Sequence, residues 1–118
     1  MEDIVIYEIR EYIIEDRWLE KYLLWAKNYF IPFAQKKVQN VEFLAYDGIG
    51  FKVEGSSPLE YPNAQPNITY IAKFKSKKER DDLFNSMGNN LEWEKVWSRH
   101  PNPNAYVHSY GKFFKSIK

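Results

Sequence analysis

Three rings and two opposite charges are the residues of this chain whose types and spacing could do chemistry. Tyr106, His108 and Tyr110 alternate along one extended segment, so a strand there would present all three on one face. An imidazole moves a proton near neutral pH, and a phenol can donate a hydrogen bond to a developing oxyanion. His108 and Tyr110 are therefore the candidate catalytic pair. Glu8 and Arg10 stand two residues apart near the start of the chain and would project the same way from a strand, either pairing or jointly orienting an anionic ligand. Together with Tyr12, Tyr46, Lys73 and Tyr106 they make up the candidate ligand-binding set. Arg10 and Lys73 would anchor a carboxylate or another oxygen-rich group, and the rings would pack on its body. The plainer structural readings stand beside these: a salt bridge that pins strand register, and an interior histidine held by hydrogen bonds.

Other chemistries find little support. His100 and His108 straddle a proline turn, with no acidic cluster beside them, so no metal site is expected. The chain has no phosphate loop, no nucleophile elbow, no His-Glu-x-x-His and no dinucleotide-binding glycine fingerprint, so no cofactor is expected either. Seventeen basic and sixteen acidic residues leave a net charge of +1, which favours neither nucleic acid nor a charged membrane surface. The basic run Lys75, Lys77, Lys78 and Arg80 sits beside Asp81 and Asp82 and reads as a solvated surface. There is no cysteine, hence no disulfide framework and no thiolate site, and no segment reaches the roughly 18 apolar residues of a membrane span. A cytoplasmic protein is expected.

The elements that must position these residues follow from periodicity. Residues 4–13 alternate like a strand, with Val5, Tyr7, Ile9 and Ile13 on the face that better matches a helix-covered side. Glu8, Arg10 and Tyr12 then fall on the other face. Arg17 to Lys37 recur at helical spacing, with Asp16 as the expected cap and Pro32 expected to kink or split the helix after Phe30. Trp25 lies off the centre of the apolar stripe and points toward a partner chain. A second strand is expected over residues 41–46, interrupted by the glycines at 48 and 50 and resuming at 51–54. A long loop from 55 to 67 then covers a pocket entrance. Residues 68–75 alternate as a third strand and run into a helix from Lys77 to about Met87. Ser76 and Glu79 have capping-box spacing there, and Gly88 is placed to stop the helix. Leu91, Trp93, Val96 and Trp97 predict a short extra helix, and residues 105–114 a fourth strand.

Strand, helix, strand, strand, helix, strand is the order of a ferredoxin-like α+β fold, a four-stranded antiparallel sheet with its helices on one side, built by residues 1–118 as a single domain. Eight Phe, nine Tyr and four Trp are more large rings than one small core needs. Covering the bare face of the sheet with a second copy disposes of them, so a homodimer enclosing a shared interior is expected, with Tyr46, Lys73, His108 and the Glu8/Arg10 pair lining that interior.

Residues 6–12, Ile-Tyr-Glu-Ile-Arg-Glu-Tyr, resemble the opening strand of NIPSNAP-type domains, members of the dimeric α/β-barrel superfamily. Residues 70–80 are similar to that family's second strand-to-helix junction, and Glu92-Trp93 falls where a Trp often follows the helix. The resemblance implies a homodimeric barrel of ferredoxin-like subunits with no well-established activity for most members. Three function classes follow. The first is a binding protein holding a small, partly aromatic or anionic organic molecule. The second is an enzyme of the same superfamily, a cofactor-independent monooxygenase-like or isomerase-like protein using His108 and the neighbouring tyrosines. The third is an interaction module using Trp25, Trp93 and Trp97 as exposed anchors.

Overall fold

A computed structural model describes residues 4–46, 54–55 and 66–117. Four strands form one antiparallel sheet: β1 (Ile6–Ile14), β2 (Asn40–Ala45), β3 (Ile68–Phe74) and β4 (Tyr106–Phe114), in the spatial order β2-β3-β1-β4. Helices α1 (Asp16–Trp25), α2 (Ile31–Lys37), α3 (Lys77–Met87) and α4 (Leu91–Ser98) supply the rest, so the chain has the expected ferredoxin-like α+β architecture. The strand expected to resume at Phe51 and most of the 55–67 loop lie outside the described residues.

Local chemistry accounts for several element boundaries. Ser76 Oγ accepts from the Glu79 backbone N–H at 3.1 Å, while the Glu79 carboxylate reaches back to the Lys75 N–H at 2.7 Å, a capping box displaced by one residue on its return arm. Asn90 caps α4 in the same manner, its side chain accepting from Trp93 N–H at 2.9 Å. Asp16 does not act as a cap. It is the first residue of α1, and Glu15 holds the cap position without a side-chain bond. Between α1 and α2 the helix widens into a π-helical turn, Ala26–Phe30, in which the Ile31 N–H bonds to the Ala26 carbonyl, five residues back. Pro32, the second residue of α2, has no N–H to give, and the widened turn absorbs the break while the helical path continues.

Two apolar clusters fill the space between sheet and helices. One gathers Ile14, Tyr22, Trp25, Ala26, Phe33, Ile68, Val96 and Ala105, and the other Ile6, Tyr70, Ala72 and Phe74. Burial of a side chain such as Phe33 stabilises the fold by about 1.5–3 kcal/mol. Strict alternation in β3, with Ile68, Tyr70, Ala72 and Phe74 buried and Ile71 and Lys73 exposed, fixes its helix-facing side. Register then carries that side across the sheet, because Ile6 pairs with Phe74, Glu8 with Ala72 and Arg10 with Tyr70.

The β1 faces are therefore the reverse of those expected from apolar content. Ile6, Glu8, Arg10, Tyr12 and Ile14 face the helices, and Tyr7, Ile9 and Ile13 face away. The physical reason lies 72 residues downstream. Arg80 of α3 reaches the fully buried Glu8 carboxylate at 2.9 Å and makes the interior tolerable for it.

A second correction concerns β4. Ile13 pairs with His108 but the next residue, Ile14, pairs with Tyr106, so Val107 is an extra residue in the strand. Such a bulge breaks the alternation. Tyr106 turns toward the helices, whereas His108 and Tyr110, opposite Ile13 and Glu11, stay on the bare face. At the far end of β1, the Asn67 side chain stitches the strand both ways, accepting from Ile14 N–H at 2.9 Å and donating to its carbonyl at 2.8 Å.

Candidate functional site

A cavity of about 700 Å³ lies between the sheet and the helices. Arg10 and Tyr12 of β1, Tyr70 of β3 and Tyr106 and Ser109 of β4 form its floor. Tyr22, Trp25 and Phe30, the end of α3 from Phe84 to Gly88, and Trp93, Glu94 and Trp97 of α4 form its walls. Glu94 and Trp97 are exposed, so the cavity reaches solvent past α4. The size falls within the range of small-molecule sites, roughly 300–1,000 Å³.

The walls are an array of ring contacts. Trp25 stacks on Phe30 with centroids 5.3 Å apart, and Trp93 stacks on Trp97 at 5.9 Å. Trp25 is buried and its indole N–H donates to the Val96 carbonyl at 2.8 Å, tying α1 to α4. It is a cavity wall, not an anchor for a partner, and of the three tryptophans expected as exposed anchors Trp97 alone is exposed. The π-helical turn places Ala26 and Phe30 against this array, joining the proline break directly to the cavity.

At the floor, one carboxylate serves two guanidinium groups. Glu8 Oε2 accepts from Arg10 Nε and Nη2 at 3.0 and 2.8 Å, while Arg80 Nε and Nη2 donate to Oε1 and Oε2 at 2.9 and 3.1 Å. Burial by itself would raise the Glu8 pKa, but the bonds from Arg80 and Arg10 outweigh it and hold the carboxyl below its ordinary range. Arg80 is further held by Phe84, whose ring lies 3.6 Å from the guanidinium carbon, and by Asp81 at 3.3 Å. Gly111, opposite Arg10 in the ladder, makes room for the head group: a Cβ there would stand 3.0 Å from Arg10 Nη2. The Tyr12 and Tyr70 hydroxyls surround the same guanidinium, and burial pushes the pKa of both upward, so both remain phenols.

The other polar feature of the cavity is Tyr106. His100 Nε2 lies 2.8 Å from its hydroxyl, and the Asn102 backbone N–H donates to His100 Nδ1 at 3.0 Å. The His100 ring is packed among Trp25, Trp97, Tyr22 and Tyr106, with centroids 4.5 Å from Trp25 and 4.7 Å from Trp97. Burial pushes its pKa down to about 4. Tyr106 is shifted the opposite way, upward, by burial and then by Tyr12, against a lowering hydrogen bond from Tyr22.

The structure thus divides the residues expected to form one site. Arg10, Tyr12 and Tyr106 line the cavity, with Glu8 directly behind Arg10. Lys73, His108 and Tyr110 project from the opposite face of the sheet, and the exposed Tyr46 follows the end of β2. On that face Tyr110 donates to Glu11 Oε2 at 2.5 Å and its ring lies 4.8 Å from His108, while Lys73 sits 5.9 Å from the Tyr7 ring.

Sequence reasoning passed over Tyr22, Tyr70, Arg80 and His100 as site residues. Tyr70 had a signal, since it shares the alternating face of β3 with Ile68, Ala72 and Phe74. His100 and Arg80 had none of that kind, because one lies in a turn and the other in a charged helical segment. Among the described residues no group of His, Asp or Glu side chains is arranged to hold a metal ion, and no helix is long and apolar enough to cross a membrane.

No protein-family model and no curated protein matches the sequence. Solved structures do match over nearly its whole length. A NIPSNAP family protein from Agrobacterium tumefaciens superposes with a TM-score of 0.71 at 14% identity, covering 99% of this chain and 90% of that one. The chain has the fold of the NIPSNAP proteins. A second NIPSNAP family protein of that organism, of unknown function, gives 0.68 at 15% identity over 100% and 96% of the two chains. A dimeric ferredoxin-like protein of unknown function from Thermobifida fusca gives 0.54 at 13%, over 97% and 92%. In this chain the aromatic cavity lies on the helix side of the sheet, and among the described residues no helix covers the other side.

Proposed function

We propose that the protein is a NIPSNAP-like homodimeric binding protein, a single domain that holds a small, largely aromatic organic molecule in the cavity between its sheet and its helices. One observation carries the reading: a cavity of about 700 Å³ walled by rings, with a hydrogen-bonded charged group at its floor. Flat apolar walls bury a planar molecule without demanding one orientation, and the few polar heads on the floor fix it. Assembly into a dimer is supported by the bare sheet face, where Leu44 and Ile71 are exposed beside Tyr7, Ile9 and Ile13, and by the dimeric protein of similar fold.

Native mass spectrometry of freshly purified protein tests both parts, reporting subunit number and any co-purified compound. Titration with the neutral probe 2-naphthamide, followed by calorimetry, then reads the cavity alone. Saturable binding of one probe per chain, abolished by Ser109→Trp at the cavity floor, is expected. Lack of saturable binding at millimolar probe would sink the binding reading. For the dimer, Ile71→Glu should raise the dissociation constant at least 100-fold in sedimentation equilibrium, and a wild-type protein that is monomeric at micromolar concentration would remove the assembly.

A second reading, an enzyme of the same fold, draws on the contact of His108 with Tyr110, itself bonded to Glu11, on the face a second copy would enclose. Turnover of a substrate found by screening that survives His108→Ala would take His108 out of that mechanism.

A further inference from the structure

We infer that the cavity selects organic anions that carry a second acceptor oxygen, the anionic group seated on Arg10 and the second oxygen on the hydroxyl of Tyr106, with His100 as the positioning residue behind that hydroxyl. The inference rests on the binding reading above and names the class of ligand.

Charge supplies the first half. Arg10 lines the cavity with its side chain 24% exposed, and among the described residues its ion-pair partner is Glu8 alone. That carboxylate is shared with Arg80, so it cannot neutralise both guanidinium groups. Asp81, the other acid on Arg80, is engaged in turn by Lys77 at 2.7 Å, so three cations share two carboxylates and the floor keeps an excess positive charge. Two of the five N–H donors of Arg10 go to Glu8, and the Tyr12 and Tyr70 hydroxyls also accept from its head. Held flat against Gly111, the guanidinium can still offer a donor to an anion in a partly enclosed, ring-lined site, where a charge-assisted bond is worth more than in bulk solvent. An aromatic cavity by itself suits a cationic guest, but Arg10 at its floor opposes one. Glu94, the acid on the lining, is an exposed side chain in water.

Hydrogen-bond logic supplies the second half. A backbone N–H can only donate, so the Asn102 N–H fixes His100 Nδ1 as an acceptor without a proton. The ring proton is then on Nε2, and at 2.8 Å it donates to the Tyr106 oxygen. That oxygen also accepts from the Tyr22 hydroxyl, so it is occupied as an acceptor and its own O–H is left to donate. Since Tyr106 lines the cavity, the donor serves a ligand oxygen, either a carbonyl or an oxyanion.

Spacing joins the two halves. Gly111, the partner of Arg10, and Tyr106, the partner of Ile14, lie on the same strand, while Arg10 and Ile14 are four residues apart on β1. Their backbones are thus separated by about 13 Å along the sheet, and Tyr12 stands between them with its ring 5.3 Å from that of Tyr106, so a planar molecule with two polar ends lying along Tyr12 can meet both heads.

The test compares three probes of one shape by calorimetry: 2-naphthamide, 2-naphthoate and 6-acetyl-2-naphthoate. The wild-type protein should bind 2-naphthoate at least 10-fold more tightly than 2-naphthamide, and the acetyl group should add a further factor of about 5 or more. Arg10→Met should erase the preference for the anion. If that variant fails to fold, the comparison of naphthoate with naphthamide on wild-type protein decides the charge half, and Tyr106→Phe, which removes only the acetyl gain, decides the other. His100→Leu should also remove the acetyl gain, while His100→Gln, which keeps an N–H donor, should restore most of it. Equal affinity for naphthoate and naphthamide would overturn the inference and leave the binding reading intact. An acetyl gain that persists in Tyr106→Phe would overturn the two-ended geometry, and absence of binding by all three probes would take the binding reading with it.

Discussion

The two faces of the sheet make opposite use of their residues. The helix-covered face holds Glu8, the one fully buried carboxylate among the described residues, with Arg10 and Arg80 around it and a ring of tyrosines, whereas the uncovered face carries Ile9, Ile13, Ile71 and Leu44 among polar side chains such as Glu11, Lys73 and Lys112. Apolar content assigns β3 correctly but would assign β1 the other way. A buried charge is tolerable where a distant element delivers its counter-ion, and an apolar side chain is left uncovered at little cost if another surface will meet it. In the proposed reading, the polar residues inside would orient a ligand and the apolar residues outside would meet a second copy.

The sharpest way to break this contrast is Glu8→Ala. It leaves Arg10 without an acid and Arg80 with Asp81 alone, at an expected cost of about 3–5 kcal/mol in chemical denaturation. A cost under 1 kcal/mol would mean that the covered face does not depend on the cluster.

Next in size is a pH effect confined to the covered face. The folded pKa of His100, about 4, lies below its ordinary 6.5, so the unfolded chain binds more protons between these values. The stability it contributes is complete above pH 6.5 and is lost as pH falls toward 4, with Glu8, also depressed, adding a further loss below the ordinary carboxylate range. Thermal melting should decline over that window in wild type, and His100→Gln should flatten the portion between pH 6.5 and about 4. An unchanged slope would place the acid response elsewhere.

A smaller and more selective change is Gly111→Ala. The added Cβ meets the end of a flexible side chain, so stability should fall by less than about 1 kcal/mol while the displaced Arg10 costs several-fold in 2-naphthoate affinity. Equal affinity in the two proteins would show that Arg10 is not the anchor.

Smallest is Tyr110→Phe on the uncovered face, which removes the bond to Glu11 and should cost no more than about 1 kcal/mol in dilute protein. A larger loss appearing only at concentrations where the protein dimerises would place that bond inside the assembled interface.

Much of this architecture was readable along the chain because it rests on local rules. Alternation marked β1, β3 and β4, the Ser76/Glu79 spacing marked the start of α3, the Leu91/Trp93/Val96/Trp97 spacing marked α4, and Pro32 marked the break after Phe30. The order of elements then pointed to the ferredoxin-like sheet. The site was less readable. Arg10, Tyr12 and Tyr106 could be singled out by type, but Lys73, His108 and Tyr110 were grouped with them on a face they do not share.

By itself, the sequence determined the described elements, their order and the cap of α3, because these depend on residues within a few positions of one another. Only the tertiary structure decided which side of each strand is inside. Arg80 must cross 72 positions to neutralise Glu8, Asn102 must hold the tautomer of His100, and one extra residue at Val107 must turn Tyr106 inward and leave His108 out. A strand has two faces separated by a single residue, so a long-range ion pair or one bulge is enough to exchange them.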